Sequence, residues 1–136
     1  MARLDEIRTA LESWIVQETN IPANRTPYIE DTNDFPSFNA GNHRGKRVTS
    51  YYGNSQSIKT YFVSVRAYVW SEDDSIEEAE RVCYLIERAI EQFESAHRAL
   101  GIYAAQVNEV HTDDGLFQPY GVIDLNVTIT YEEEYT

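Results

Sequence analysis

A single cysteine, Cys83, stands among the 136 residues, so no disulfide can close within the chain and packing has to hold it together. The thiol falls inside an apolar helical pattern, where burial is the ordinary fate of a free cysteine, and this fits a reducing compartment. Long hydrophobic runs are missing as well. No stretch nears the roughly 20 apolar residues that span a bilayer, and the opening MARLDEIRTA has no apolar signal core. The expectation is a protein that is neither exported nor membrane-bound. Basic residues are scarce: 11 Lys and Arg face 23 Asp and Glu, a net charge of -12. Phosphate binding needs a basic surface that releases counterions, which argues against nucleic acid as the main partner.

Recognisable chemistry is also absent. The three histidines, His43, His97 and His111, have no second His or Cys at metal-ligand spacing and read as surface side chains. There is no glycine-rich phosphate loop, no G-x-S-x-G and no general base near Cys83 in sequence. The carboxylate clusters Glu72-Asp73-Asp74 and Asp113-Asp114-Gly115 lack the spaced ligands of a Ca²⁺ loop. The first reads as a helix start and the second as a turn. No catalytic residue, cofactor or metal is therefore assigned.

What is present is patterned for one α+β domain over residues 1–136, a length that supports a single core. Leu4, Ile7, Leu11, Trp14 and Ile15 recur three or four apart and predict a helix over about 4–18, stopped near Pro22. Residues 28–42 read as short extended segments, with Asp34-Phe35-Pro36 as a strand entry. Residues 43–57, HRGKRVTSYYGNSQS, read as a long loop or hairpin tip. Residues 58–70 alternate cleanly: Tyr61, Val63, Val65, Ala67 and Val69 point one way, with Phe62, Ser64, Arg66, Tyr68 and Trp70 on the other. The three aromatics on that second face predict partial cover, by a helix or a neighbouring subunit.

A second helix opens at Ser75-Ile76-Glu77-Glu78, which fits a capping box in which Ser75 accepts from the Glu78 amide. Its buried stripe is Ala79, Val82, Cys83, Ile86, Ile90 and Phe93, and Gly101 is the predicted stop. Strands at 102–110 and 122–131 follow, joined by a long turn into an antiparallel hairpin. The expected order is α-β-β-β-α-β-β: an antiparallel or mixed sheet of four to five strands packed by two amphipathic helices.

Charge and aromatic placement point to partners. Residues 1–34 carry -4, residues 35–71 carry +5 with no acid, and residues 72–136 carry -13. Such a chain suits like subunits meeting basic face on acidic face. Tyr and Arg are enriched at protein interfaces, and Arg44, Lys46, Arg47, Tyr51 and Tyr52 share one segment, with Phe117 and Tyr120 outside the core pattern. Aromatics among basic side chains could also grip single-stranded nucleic acid, but the acidic balance favours a protein.

Asp113-Asp114-Gly115-Leu116 followed by DLNVTITYEE at 124–133, Asp34-Phe35-Pro36 after the first helix, and the strand at 60–70 running into an acidic helix form a set. In these segments the chain resembles the tail terminator (minor tail protein U) family of lambda-like long-tailed bacteriophages. The resemblance implies a structural virion protein of the tail, present in the host cytoplasm during assembly. It implies a homo-oligomeric ring, a hexamer, that caps the last ring of tail-tube protein and joins the connector or neck proteins of the head. The Asp113-Asp114 turn falls on the family's acidic turn. Residues 43–57 fall on its long loop and are more basic than the family pattern. The interface residues so expected are Arg44, Lys46, Arg47, Tyr51, Tyr52, Asp113, Asp114, Phe117 and Tyr120. Two rival readings stand beside this one: another neck protein of the same particle, or a small-molecule-binding or enzymatic domain with a pocket lined by Arg66, Tyr68 and a carboxylate.

Overall fold

A computed structural model describes residues 4–24, 35–41, 48–49 and 57–133. The first helix, α1, runs Leu4–Thr19, and the three-four spacing of its apolar side chains leaves Ile7, Leu11 and Ile15 fully buried. It ends where Thr19 turns on its own backbone. The Thr19 hydroxyl donates to the Ile15 carbonyl at 2.6 Å and accepts from the Ile21 amide at 3.1 Å, while Asn20 takes a left-handed φ of 61°. Asn tolerates that conformation better than most residues, so the stop comes two residues ahead of Pro22.

Strands β1 (Ser37–Gly41), β2 (Val48–Thr49) and β3 (Ser57–Trp70) follow. The predicted strand entry is met at Phe35 and Pro36, which directly precede β1; Asp34 lies outside the described residues. After β3 come α2 (Ser75–Glu91), α3 (Phe93–Ala96), a 3-10 turn (Arg98–Leu100), β4 (Ile102–Thr112) and β5 (Tyr120–Glu133). The sheet order is β1-β3-β5-β4, with β2 also pairing to β3, and each of these strand pairs is antiparallel, while an isolated parallel bridge joins Ala23 to Phe38. This is the α+β order and sheet that the patterning predicts.

Strands β3 and β5 pair over their whole length, from Ser57 opposite Glu133 to Trp70 opposite Tyr120. That register puts Tyr61, Val63, Val65, Ala67 and Val69 on the same face as Ile123, Leu125, Val127, Ile129 and Tyr131, and all ten are buried. Helix α2 lies over this face with Ala79, Val82, Ile86 and Ile90, α1 packs beside it, and Phe93 closes the cluster from α3. Each fully buried Leu or Ile contributes about 1.5–3 kcal/mol. Trp14 joins the helices by donating its Nε1–H to the Ala89 carbonyl at 2.8 Å.

Three local expectations need correction. The N-cap of α2 is Asp74, not Ser75: in extended conformation its carboxylate accepts from the Ile76 and Glu77 amides, both at 3.1 Å. An Asp one position upstream takes the cap because Ser75 is buried and donates its hydroxyl to Gln118 Oε1 instead. Glu78 pairs with Arg81 and not with the cap. The second helix also breaks at Gln92, and Gly101, with φ 81°, ends the 3-10 turn that follows and not α2 itself. Cys83 is only half-buried on the flank of the stripe, where desolvation, reinforced by Glu87 and Glu80, pushes its thiol above the usual range.

The second sheet face is covered in part. Ser64 and Tyr68 are buried there while Trp70 is exposed, and both helices belong to the core cluster on the opposite face. At its centre Arg66 clamps Asp124 across the β3–β5 pair, Nε to Oδ1 at 2.7 Å and an Nη to Oδ2 at 3.2 Å. That hydrogen-bonded carboxylate holds the guanidinium above its ordinary range.

Helix α2 packs tightly on the sheet at Gly121. A Cβ there would lie 2.7 Å from Val69 Cγ2 and 3.3 Å from the Ser75 carbonyl oxygen. Val69 is fully buried and stiff at χ1, so it cannot swing away. Gly121→Ala should therefore destabilise the fold by about 1–3 kcal/mol, read as a lower urea midpoint at unchanged slope. A midpoint equal to wild type would show that strand and helix have slack at this point.

Candidate protein-docking site

The functional side chains expected from sequence divide between two places. Arg44, Lys46, Arg47, Tyr51 and Tyr52 lie outside the described residues. Asp113, Asp114, Phe117 and Tyr120 all belong to the tip of the β4–β5 hairpin and the first residue of β5.

The tip is built around Asp113. Its Oδ2 accepts from the Phe117 amide at 3.0 Å and its Oδ1 from the Val122 amide at 3.2 Å. Its own amide donates to the Val122 carbonyl at 3.2 Å. One carboxylate thus satisfies two backbone donors that a turn would otherwise leave to water. Asp114 and Gly115 take left-handed φ angles of 52° and 81°, which sends the chain over the tip and leaves the Asp114 carboxylate exposed. The two neighbouring acids therefore differ: Asp113 holds the turn and Asp114 faces outward.

Gln118 fastens the tip to α2. Its Oε1 accepts from the Ser75 amide at 2.9 Å and from the Ser75 hydroxyl, and its Nε2 donates to the carbonyls of Ser71 and Glu72 at 3.2 and 3.3 Å. The Ser71 amide donates to the Pro119 carbonyl at 2.8 Å. A Cβ added at Gly115 would lie 3.0 Å from Ile76 Cδ1, so the tip rests on the first turn of the helix. Nothing in the local sequence marks Gln118 or Ser75 as partners, since they stand 43 residues apart and meet only once the strands are paired.

Apolar side chains concentrate at this end. Eight large hydrophobic residues are exposed among those described, and five of them, Trp70, Ile76, Leu116, Phe117 and Tyr120, surround the clipped tip. Leu116 is 78% exposed. Phe35 extends the group by packing on Tyr120 with ring centroids 5.6 Å apart. Single exposed apolar residues are ordinary, whereas a gathered set rimmed by charge marks an interaction surface. The rim here is acidic: Glu72, Asp73, Glu77 and Asp114 are all exposed. Sequence periodicity alone misses Trp70, Ile76 and Leu116, because each closes a strand, opens a helix or sits in a turn.

Among the described residues no group of three or more His, Cys, Asp and Glu is arranged to hold a metal ion, and no helix is long and apolar enough to cross a membrane. Arg66 and a carboxylate do meet, as a small-molecule site would need, but Arg66 and Asp124 are closed on each other.

If Asp113 organises the tip, Asp113→Ala should free both amides it holds and weaken the turn by about 1–2 kcal/mol. Hydrogen exchange at Phe117 and Val122 should then quicken tenfold or more, with the amides of α1 unchanged. Equal protection in the variant would assign the turn to its backbone alone.

A sequence model of a protein family, described as Bacteriophage Tail Tube Terminator Protein, matches residues 5–136. Among solved structures, a chain of the "Virion of native gene transfer agent (GTA) particle" is similar in fold, with a TM-score of 0.62 at 8% identity over 93% of this chain and 98% of that one. No curated protein matches at the level of sequence.

Proposed function

The chain belongs to the bacteriophage tail tube terminator family, and on that premise we propose that it assembles as a ring, a hexamer, on the last ring of tail-tube protein. There it halts tube growth and presents the surface that head-connector or neck proteins join. Residues 1–136 act as one unit, a structural part of the virion tail that gathers in the host cytoplasm during assembly. Its work is binding, with no catalytic step. Arg44, Lys46, Arg47, Tyr51 and Tyr52 on one side, and Asp114, Phe117 and Tyr120 on the other, are its contact residues, with Asp113 holding the turn that carries the latter.

The observation that carries this reading is the exposed apolar end of the sheet. Trp70, Ile76, Leu116, Phe117 and Tyr120 are exposed yet sit on backbone fixed by Asp113 and Gln118. Rigid, exposed aromatic and aliphatic groups bind at little entropic cost, as assembly surfaces require. A ring repeats such a surface, and several modest contacts to a matching ring act together through high effective concentration.

Tail-tube protein polymerised with the purified chain should give shorter, capped tubes, and native mass measurement should find a ring. A chain that stays monomeric and leaves tube length unchanged at saturating concentration refutes the proposal. Reversing Arg44, Lys46 and Arg47 together to Glu should weaken association about tenfold or more, equivalent to about 1.4 kcal/mol, at unchanged melting temperature. Normal assembly by that variant would remove the basic segment from the interface.

A further inference from the structure

The clipped tip brings two kinds of side chain to one place. Exposed Trp70 and Ile76 stand on either side of Glu72 and Asp73, and Glu77 follows. Gln118, by holding the carbonyls of Ser71 and Glu72, sets Asp114, Leu116 and Phe117 of the hairpin beside that same stretch. Trp70 and Tyr120 lie directly opposite each other on β3 and β5, so their rings share one face of the sheet. We propose that this end of the sheet docks a segment of a different protein in which Arg or Lys side chains alternate with apolar ones. The inference rests on the assembly role proposed above and names the chemistry of the partner that this surface takes.

Charge complementarity decides the occupant. Glu72, Asp73, Glu77 and Asp114 are exposed, and among the described residues none of the four is engaged in an ion pair. The neighbouring acids are occupied: Asp74 caps α2, Asp113 holds the turn and Glu78 pairs with Arg81. A partner that covers Leu116 and Phe117 strips water from the carboxylates beside them, and an uncharged apolar partner offers nothing in return. A cationic one replaces the lost hydration with charge-assisted hydrogen bonds. Arginine suits the site on a second count, because a guanidinium also stacks on exposed aromatic rings such as those of Trp70 and Tyr120.

The same chemistry turns other partners away. The acidic rim repels the phosphates of nucleic acid and the headgroups of an anionic bilayer. A second copy brings a net charge of -12 to the contact, whereas a cationic segment of another protein meets the rim with the opposite sign. Burial of Leu116 and Phe117 supplies the apolar part of the contact, on backbone that Asp113 and Gln118 already fix.

The test uses the full chain and a fluorescein-labelled peptide of alternating arginine and leucine, free of tryptophan. Control peptides replace every leucine by serine or every arginine by glutamine. Fluorescence anisotropy should show both controls binding about tenfold or more weakly than the arginine-leucine peptide. The chain holds two tryptophans, Trp14 tied between the helices and Trp70 exposed at the tip. An unlabelled arginine-leucine peptide seated here should therefore shift tryptophan emission to the blue, and Trp70→Phe should abolish that shift while still binding. Glu72→Gln with Asp73→Asn and Glu77→Gln, and separately Leu116→Ser with Phe117→Ser, should each weaken binding about tenfold or more, with circular dichroism and melting unchanged. A control peptide that binds as tightly as the arginine-leucine one, an acid-neutralised variant that keeps full affinity, or an emission shift that survives Trp70→Phe overturns the docking site. An emission shift driven by the chain's own concentration, without peptide, makes the occupant a second copy and overturns it too. A wild-type chain that caps tubes while the peptide goes unbound leaves the terminator reading standing and removes only this contact; one that binds the peptide but never caps does the reverse.

Discussion

The pairing of β3 with β5 sets the terms for everything else in the molecule. Fourteen residues of one strand run antiparallel to fourteen of the other without a slip, so a single register decides both which side chains enter the core and where each end of the sheet stands. A shift of β3 by one residue against β5 would turn Val63 and Val65 outward and bring Arg66 under α2 away from Asp124, exchanging apolar burial for an unpaired buried charge. The Arg66–Asp124 clamp locks the same register from the polar face. The helices then have one apolar face to cover, and α2 comes close enough at Gly121 that no Cβ fits between it and Val69.

The exposed tip follows from that frame. Beyond Trp70 and Tyr120 the strands no longer pair with each other, and the chain leaves the sheet on both sides, into α2 from β3 and toward β4 from β5. Two loose ends would splay. Gln118 ties them, with one amide group meeting Ser75, Ser71 and Glu72 at once, while Asp113 gathers the turn and Asp74 caps the helix beside it. Three polar side chains spent on backbone groups fix the tip, while the neighbouring Leu116 and Phe117 stay largely exposed. Trp70, Leu116 and Phe117 are held in place but remain substantially exposed, which sets the tip apart from a frayed end.

Much of this was legible in the sequence, and what was not has physical causes. The strands at β3 and β5 and the helices α1 and α2 follow from apolar spacing, because each buries one face and its period shows. The antiparallel β4–β5 hairpin follows from the turn residues between its two runs, whereas its register shifts at Ile102/Ala104 and Val107/Glu109 and the order β1-β3-β5-β4 across the sheet appear only in three dimensions. The N-cap was misread by one position: Ser75 satisfies a capping-box pattern, but Gln118 claims its hydroxyl, and that competition exists only in three dimensions. The tip residues divide in the same way. Phe117 and Tyr120 stand out as aromatics away from the core pattern, and Asp113-Asp114 as an acidic turn. Trp70 and Ile76 look like the last residue of a strand and the first turn of a helix, and only the meeting of β3, α2 and the hairpin makes them one surface with Leu116. The segment with Arg44, Lys46, Arg47, Tyr51 and Tyr52 has little period of either kind, and its place in the argument comes from charge and from β2, which borders it.

Net charge raises an apparent objection to self-assembly, since each copy carries -12 and should repel the next. The objection weakens once distances are compared. A chain of this length has a radius of gyration of about 14 Å, so two copies in contact would have centres roughly 30 Å apart. The screening length at physiological ionic strength is about 8 Å, and repulsion between whole charges is largely lost over several such lengths. Side chains that meet at a contact are within a few ångströms and are screened far less. In an assembly of like subunits the local pattern of charge at a contact would therefore matter more than the total. Segregation in sequence matters for the same reason: five basic residues spread evenly among the acids would leave every segment negative, whereas confined to 35–71 they leave one segment positive. Lowering the salt to about 0.01 M lengthens screening to about 30 Å, the spacing that two copies in contact would have, and there the total charge would regain its hold and oppose the proposed ring.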